Sequence, residues 1–355
     1  MSYQPNIAIH PGRTILELLS REGMTQKSLS ERTGTSEKHL SQIINGEASI
    51  TVETALLLEN ALGGSASFWT NLEKNFQETR ARIERIPLLR RECSFLPNYP
   101  YGELAKMGCV EPTSSREKRV ENLWKFFGVN SLSYVPTTEQ IAFRKTGNSG
   151  VRSEAIAAWL RCGELESRKQ RLGEFSEGAL RSSLDDLRKC SLLDPGKYSV
   201  AIVRLLNDAG VALVCIPHFR STGVSGAVRW INDRPVIQLS LYYACADIFW
   251  FNLFHEIGHL LLHGKKGKFL EFDDKDLAFS KSKEQEADTF AGDALISPKR
   301  YARFIAEPIT RPRIVRFAKY LNIHPGIVAG RLCHDKLIEW RTVSALRPRL
   351  TFDHR

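Results

Sequence analysis

Two histidines four residues apart, with a glutamate directly after the first, form the most chemically informative segment of this 355-residue sequence. On a helix, His255 and His259 lie one above the other on the same face, so both imidazoles can bind one tetrahedral zinc ion. Glu256, next to the first ligand, can accept a proton from the water that such an ion activates. The segment therefore predicts a zinc site of metallopeptidase type.

A zinc site of this kind needs a third protein ligand, which we expect from a helix predicted over residues 284–296. Glu284 and Asp288 are four residues apart there, which favours Glu284 as the ligand and Asp288 as the acceptor of a hydrogen bond from a ligand imidazole. Glu286 points roughly the opposite way and is the less favoured ligand. His263 lies a further turn along the first helix, too far for the same ion, and is expected to end that helix.

A second pattern near the N-terminus predicts a pair of short helices around a tight turn at Gly34. Thr25 and Ser36 are suited to be N-caps of helices over 26–32 and 37–45. Such a pair is typical of a helix-turn-helix, whose second helix lies in the major groove of DNA. Base contacts are then expected from the second helix and a phosphate contact from the start of the first: Glu37, Lys38, His39, Ser41, Gln42 and, for the phosphate, Gln26.

The charge distribution leaves an alternative open for this helical pair. The chain has a formal net charge of +10, but residues 1–90 contain ten basic and ten acidic residues, whereas residues 299–355 contain thirteen basic and four acidic ones. Because non-specific DNA affinity depends on cationic contacts, the helices of a neutral segment could serve only packing or dimerisation. If they bind DNA, we expect a homodimer on an inverted-repeat operator of double-stranded DNA.

Composition limits the class of protein. A hydrophobic content of 42% and a charged content of 25% are typical of a soluble globular chain. No uninterrupted apolar stretch is long enough for a membrane span, and the first residues lack the pattern of a signal peptide. Seven cysteines without a CxxC pair fit reduced thiols, so we expect a cytoplasmic protein that does not bind membranes.

The elements around these segments predict an α+β fold that is mostly helical. Short helices are expected over 10–76, helix-like stretches over 116–127, 153–172 and 176–189, and a helix over 199–209. Three short strands follow in VALVCIP, SGAVRWI and PVIQLS, and then a long helix over 245–263. The predicted division has four parts: an all-α helix-turn-helix domain at 1–78, a helical linking region at 79–198, a zincin-like domain with a small three-stranded sheet at 199–300, and a basic helical tail at 301–355.

Several segments resemble two known families. The N-terminal 76 residues, with IHPGRTILELL, TQKSLSERTGTSEKHLSQIING and ALGGSASFWTNLEKNF, resemble the HigA-type antitoxins of the Xre helix-turn-helix family. Residues 199–300, with HEIGHLLLH and EQEADTFAGDALISP, resemble the ImmA/IrrE metallopeptidases. The segment VRFAKYLNIHPGIVAGRL also resembles the helix-turn-helix-like tail of these peptidases. Two roles remain open for this segment, packing against the domain or a second contact with nucleic acid.

The resemblance implies a bacterial or phage-encoded transcription regulator with a zinc endopeptidase domain that cleaves a partner repressor. By position, His255, His259 and Glu284 match the family's zinc ligands, Glu256 its base and Asp288 its following acidic residue. The family's helix usually ends in LLMP, whereas this chain has ALISP, which leaves the end of the helix open. An alternative is a HigA-like antitoxin and autorepressor whose peptidase-like domain senses or binds a partner, such as a toxin, without cleaving it.

Overall fold

The computed structural model describes residues 7–135, 143–145, 152–220, 222–240, 245–264 and 276–348. Two compact units contain these residues. The first comprises the described residues up to Ser94 together with Ser115–Val120, and the second comprises Phe95–Ser114 and the described residues from Glu121 onward. The predicted fold class is confirmed, because the described residues are mostly helical and form one small sheet in the second unit.

The first unit is built from helices whose ends follow the predicted caps. Thr25 accepts a hydrogen bond from the backbone of Ser28, Ser36 accepts one from His39, and Gly46 ends the second of these helices in a left-handed conformation. The predicted helix-turn-helix pair is therefore present, as α2 and α3. The helices are α1 Pro11–Glu22, α2 Gln26–Thr33, α3 Glu37–Asn45, α4 Val52–Leu62 and α5 Ala66–Glu92.

Gly12 sets the packing of α1 on the end of α3. A Cβ atom at this position would lie 2.0 Å from the carbonyl oxygen of Ile44, so only glycine permits this approach. His10 caps α1 by accepting a hydrogen bond from the backbone of Gly12. The HPG segment thus fixes the angle at which the first helix packs on the second helix of the pair.

The fifth helix is longer than the sequence suggested. Short helices were expected to residue 76, but α5 runs over 27 residues to Glu92. Trp69 anchors its start, being fully buried and donating from Nε1 to the carbonyl oxygen of Gly63 at 3.0 Å. Its exposed part is supported by ion pairs between residues four apart, each of which contributes only a few tenths of a kcal/mol: Lys74–Glu78, Glu78–Arg82 and Arg80–Glu84.

The second unit surrounds a sheet with helices. One helix, α7 Arg116–Phe127, contains residues of both units, and the other α-helices after α5 belong to the second unit. These are α6 Tyr101–Lys106, α8 Ser153–Ser167, α9 Glu177–Lys189, α10 Pro195–Asp208, α11 Ala246–His263, α12 Asp276–Leu295, α13 Pro298–Ile305, α14 Arg311–Leu321 and α15 Pro325–His334. Short 3-10 helices lie at Cys93–Asn98, Leu132–Tyr134, Cys190–Leu192 and Trp340–Leu346.

The sheet contains the three predicted strands and one more. β3 and β4 form an antiparallel hairpin through Asn232 and Asp233, both with positive φ as a two-residue turn requires. β2 pairs with β4 in parallel, and β1 pairs with the other edge of β3. β1 was not predicted because three residues are too short to show alternation. The strands are β1 Phe143–Lys145, β2 Ala212–Ile216, β3 Val224–Ile231 and β4 Arg234–Ser240, in the order β1-β3-β4-β2.

Several helix ends differ from the predicted ones. The helix predicted over 153–172 ends at Ser167, and the helix expected from Glu284 already begins at Asp276. The predicted boundaries at 78 and 300 fall inside α5 and α13, and residues of α9–α15 share one core. The four-part division stays a prediction. None of the helices in the described ranges has both the length and the apolarity that a membrane crossing requires.

Candidate metal centre

The centre depends on a close contact between α11 and α12. At Gly258, a Cβ atom would lie 3.3 Å from Cα of Ala287 and 3.0 Å from Cδ1 of Phe290, so a larger residue would push the helices apart. The small residues Ala287 and Ala291 are fully buried on the facing side of α12. The glycine within HEIGH therefore allows side chains of α12 to reach the histidines of α11.

Three side chains converge between these helices. Nε2 of His255 lies 3.0 Å from Nε2 of His259. The two carboxylate oxygens of Glu284 lie 3.3 Å from these nitrogens, one from each. Ligand atoms bound to one tetrahedral zinc at its usual bond lengths are about 3.3 Å apart. The residues present therefore fit a zinc ion in both donor type and spacing.

The carboxylate of Glu284 is prepared for this role by its surroundings. Burial by itself raises its pKa, but the neighbouring imidazoles of His255 and His259 outweigh burial and hold the pKa well below its usual range. The group is consequently ionised at neutral pH, as a metal ligand must be. Asp288 accepts a hydrogen bond from the other nitrogen of the His255 ring, with its Oδ1 2.9 Å from Nδ1. This contact directs Nε2 of His255 toward the cluster.

Glu256 lies beside the cluster and is 2% exposed. Its carboxylate packs on β3 at Gly226, where a Cβ atom would lie 2.2 Å from Oε1. Because residue 226 is a glycine, the strand has no side chain there that would clash with the Glu256 carboxylate. Sequence reasoning assigned no role to Gly226, because nothing local indicates that β3 packs on this part of α11.

Two nearby titratable residues stay outside the cluster. Glu286 is exposed and accepts a hydrogen bond from Ser282 at 3.3 Å. His263 ends α11, as expected, and its Nε2 lies 3.3 Å from the carbonyl oxygen of Lys283. Burial lowers the pKa of His263, so this imidazole is neutral at pH 7. The structure thus brings Glu284, and not Glu286, to the two histidines.

A cavity of about 560 Å³ lies along α11 and is lined by Asp288, which contacts His255 of the cluster. Phe251 lies one turn before His255, and its ring is 6.2 Å from that imidazole and 6.4 Å from the ring of His334. Sequence reasoning missed Phe251, although its spacing of four residues from His255 was a usable signal. The lining combines apolar and polar side chains and includes Ser225, Phe251, Asp288, Ile327, His334 and Trp340.

In the first unit, the predicted DNA-contact residues lie on the accessible side of α2 and α3. Leu40, Ile43 and Ile44 are the buried face of α3. Asn45 shares the opposite face, donates to Ser41 at 3.3 Å and was missed by sequence reasoning, although it follows Ser41 by four residues. Of the predicted residues, the exposed ones are Gln26, Glu37, Lys38 and His39, and the half-buried ones are Ser41 and Gln42.

Comparisons with known proteins assign both units. Residues 15–69 match the helix-turn-helix family, and residues 218–332 match the IrrE N-terminal-like domain. The chain is 33% identical over 79 residues, which is 22% of its own length and 73% of the other protein, to virulence-associated protein I of Dichelobacter nodosus. The chain belongs to the Xre-type helix-turn-helix proteins and carries an IrrE-type peptidase domain.

A HigA-family addiction module antidote protein from Coxiella burnetii is similar at 29% identity, covering 24% of this chain and 94% of that one with a TM-score of 0.22. The helix-turn-helix match contains α2 and α3 in full. The IrrE-type match contains the cluster on α11 and α12 and continues past residue 300 to Leu332 in α15. The family thus assigns a DNA-binding domain to the first unit and a peptidase-type domain to the second.

Proposed function

We propose that this protein is a DNA-binding transcription regulator whose IrrE-type domain is a zinc endopeptidase that cleaves a partner regulatory protein. The observation that carries the proposal is the spacing of the His255, His259 and Glu284 ligand atoms, at 3.0 and 3.3 Å. A domain that only binds a partner has no need to hold three ionisable side chains in the positions of metal ligands. Glu256 beside them supplies the group that distinguishes catalysis from a structural zinc site.

The chemistry follows from the side chains. His255, His259 and Glu284 would hold the zinc, and Asp288 would keep His255 in the tautomer that leaves Nε2 free to bind. A bound zinc supplies a Lewis acid and lowers the pKa of water. The Glu256 carboxylate accepts the proton of the attacking water and donates it to the nitrogen of the leaving amine.

The target of the peptidase is expected to be a folded regulator and not a mixture of peptides. The cavity beside Phe251 is large enough for a bulky apolar side chain next to the scissile bond. The helix-turn-helix unit would hold the protein on an inverted-repeat operator as a homodimer, with half-sites about one helical turn apart. A repressor that binds the same control region would then meet the peptidase at high local concentration.

The test uses the product of a neighbouring gene that encodes an Xre-type repressor. The zinc-loaded protein is incubated with this repressor, with and without a chelator, and the products are analysed by mass spectrometry. A single defined fragment that the chelator abolishes supports the proposal. If no fragment forms and DNA binding is intact, the peptidase proposal is wrong. Capture of a neighbouring small toxin would in that case support a HigA-like antitoxin and autorepressor.

A further inference from the structure

Positive charge is concentrated on α13 and α14. Residues 298–321 contain seven lysines and arginines and a single acidic residue, Glu307, so this short segment carries +6 of the chain's formal charge of +10. Residues 1–90, which include the helix-turn-helix, are neutral with ten basic and ten acidic residues. The helix-turn-helix segment therefore lacks the net positive charge that gives most DNA-binding proteins their non-specific affinity.

Four arginines of these helices line one cleft of about 330 Å³, which we name the arginine cleft. Its floor is aromatic, because Phe304 and Phe317 stack with ring centroids 4.2 Å apart at 11°. Stacked rings between α13 and α14 hold the two helices in register. The arginines are therefore presented from a rigid base, two from each helix: Arg300, Arg303, Arg313 and Arg316.

The arginines of the cleft differ in whether they already form ion pairs or hydrogen bonds within the protein. Arg313 pairs with Glu307 at 2.9 Å and donates to two backbone carbonyls, so it is a structural residue of the cleft. Arg303 and Arg316 are exposed, and no carboxylate in the described ranges lies within ion-pair distance of either. Guanidinium groups crowded around one cleft without acidic partners are suited to bind phosphate oxygens in pairs.

We propose that the arginine cleft binds the phosphate backbone of duplex DNA, supplying sequence-independent affinity while α3 contacts base edges. This inference rests on the proposed DNA binding of the chain. The following helix, α15, does not enter a groove, because its side chains from Gly326 to Leu332 are almost all buried. The contact is thus to the backbone alone, and it should be seen in the salt dependence of binding.

The test measures binding to a random-sequence duplex of about 30 base pairs as a function of salt. The variant R303Q/R316Q is compared with R204Q/R220Q, in which two exposed arginines elsewhere on the same unit are changed. The slope of the logarithm of the binding constant against the logarithm of the salt concentration should become shallower by about 2 for the cleft variant. This is roughly 0.9 for each lost phosphate contact. The control variant should keep the wild-type slope. If the double variant does not fold, R316Q alone should lower the slope by about 1.

The outcomes separate this inference from the proposed function. Equal salt slopes for the cleft and control variants would overturn the arginine cleft as a DNA contact, even if sequence-specific operator binding persists. Failure of the wild-type protein to bind any duplex would reject both. Changing Lys38 and Gln42 to alanine should reduce the preference for the operator over random-sequence DNA. It should leave the salt dependence of binding to the random-sequence duplex unchanged.

A second observation carries an independent inference about two cysteines. The Sγ atoms of Cys109 and Cys162 lie 3.6 Å apart although 53 residues separate them in the chain. Among the described cysteines no other pair lies in such contact, and all seven are reduced. A disulfide needs the sulfurs to approach to about 2.05 Å, which is a movement of roughly 1.5 Å. Side-chain rotation can supply such a distance.

The two thiols are unequal in the way that a redox pair requires. The hydrogen bond with Cys162 lowers the pKa of Cys109, and Cys109 is half-buried and reachable from solvent. The same hydrogen bond, together with burial, raises the pKa of Cys162. Cys109 is consequently the thiolate that an oxidant meets first, and Cys162 is the thiol that follows.

We infer that Cys109 and Cys162 form a reversible disulfide when the protein meets a peroxide. The Cys109 thiolate attacks one peroxide oxygen, the O–O bond breaks and hydroxide leaves. The Cys162 sulfur then attacks the Cys109 sulfur, the S–O bond breaks and water leaves with the Cys162 proton. The two thiols are oxidised by two electrons in total and the peroxide is reduced, so the exchange is balanced.

The experiment counts thiols in the denatured protein after treatment with hydrogen peroxide. Two of the seven thiols should disappear, the intact mass should fall by two hydrogens, and a reductant should restore both values. Cys245→Ser should still lose two thiols, whereas Cys109→Ser should lose none to a disulfide. No mass loss in the wild type, or the same loss in Cys109→Ser, would overturn the inference.

Discussion

Oδ1 of Asp288 lies 2.9 Å from Nδ1 of His255, so the imidazole that would bind zinc is held from behind by a carboxylate on the neighbouring helix. Asp288→Asn removes the charge and weakens this hold, and zinc affinity should fall by about 10- to 100-fold. Asp293→Asn, an exposed position on the same helix, is the control. Affinity is measured by competition with a chromogenic chelator. Equal affinities for the two variants would mean that Asp288 does not orient the ligand.

The choice of Glu284 over Glu286 can be tested by metal content. The purified protein should contain about one zinc per chain. Glu284→Ala should lose it, because the third donor is gone, while Glu286→Ala should retain it because that side chain is exposed. Elemental analysis of the purified variants decides between them. Zinc retained without Glu284 and lost without Glu286 would reject the ligand assignment.

Much of this site could be predicted from the sequence, because its parts are local. His255 and His259 share a face by helical spacing alone, as do Glu284 and Asp288 on the next helix. That the two helices meet was expected because a zinc site of this type needs a third protein ligand, and the resemblance to the metallopeptidases implied the same ligand. The close contact that joins them depends on Gly258 and Ala287, which the sequence marks only as small residues.

Other features depend on tertiary contacts that no local pattern reveals. Gly226 and Glu256 are 30 residues apart and meet only because β3 packs on α11. The arginine cleft requires α13 and α14 to stack through Phe304 and Phe317. β1 is too short for its pairing with β3 to be recognised, since three residues carry almost no periodicity.

A methyl group at residue 226 tests how tightly Glu256 is positioned. In Gly226→Ala the new Cβ would lie 2.2 Å from Oε1 of Glu256, so the carboxylate must move. A displacement of this size should slow repressor cleavage by about 100-fold while zinc content is retained. Gly102→Ala, where nothing lies within 4 Å of the new Cβ, is the matched control. Cleavage at the wild-type rate in Gly226→Ala would mean that Glu256 is not held against β3.

If the exposed face of α3 contacts bases, as we propose, changing two of its side chains should reduce sequence preference. Lys38→Ala combined with Gln42→Ala should reduce operator affinity at least tenfold, since a good base contact contributes about 1–3 kcal/mol of discrimination. Affinity for random-sequence DNA should change much less. Lys74→Ala, at an exposed position of α5, is the control. Titrations on both kinds of duplex are compared, and an equal loss on both would show that the two side chains do not contact bases.

The central claim is that Glu256 is a catalytic base and not a zinc ligand, and Glu256→Gln tests it most directly. The amide has nearly the same size, so the fold, the zinc content and operator binding should be unchanged. It cannot accept the proton of the attacking water, so cleavage of the partner repressor should fall by at least about 100-fold. The measurement is the rate of fragment formation by wild type and Glu256→Gln at equal zinc content. A rate within a few-fold of wild type, or no fragment from either protein, would contradict the account.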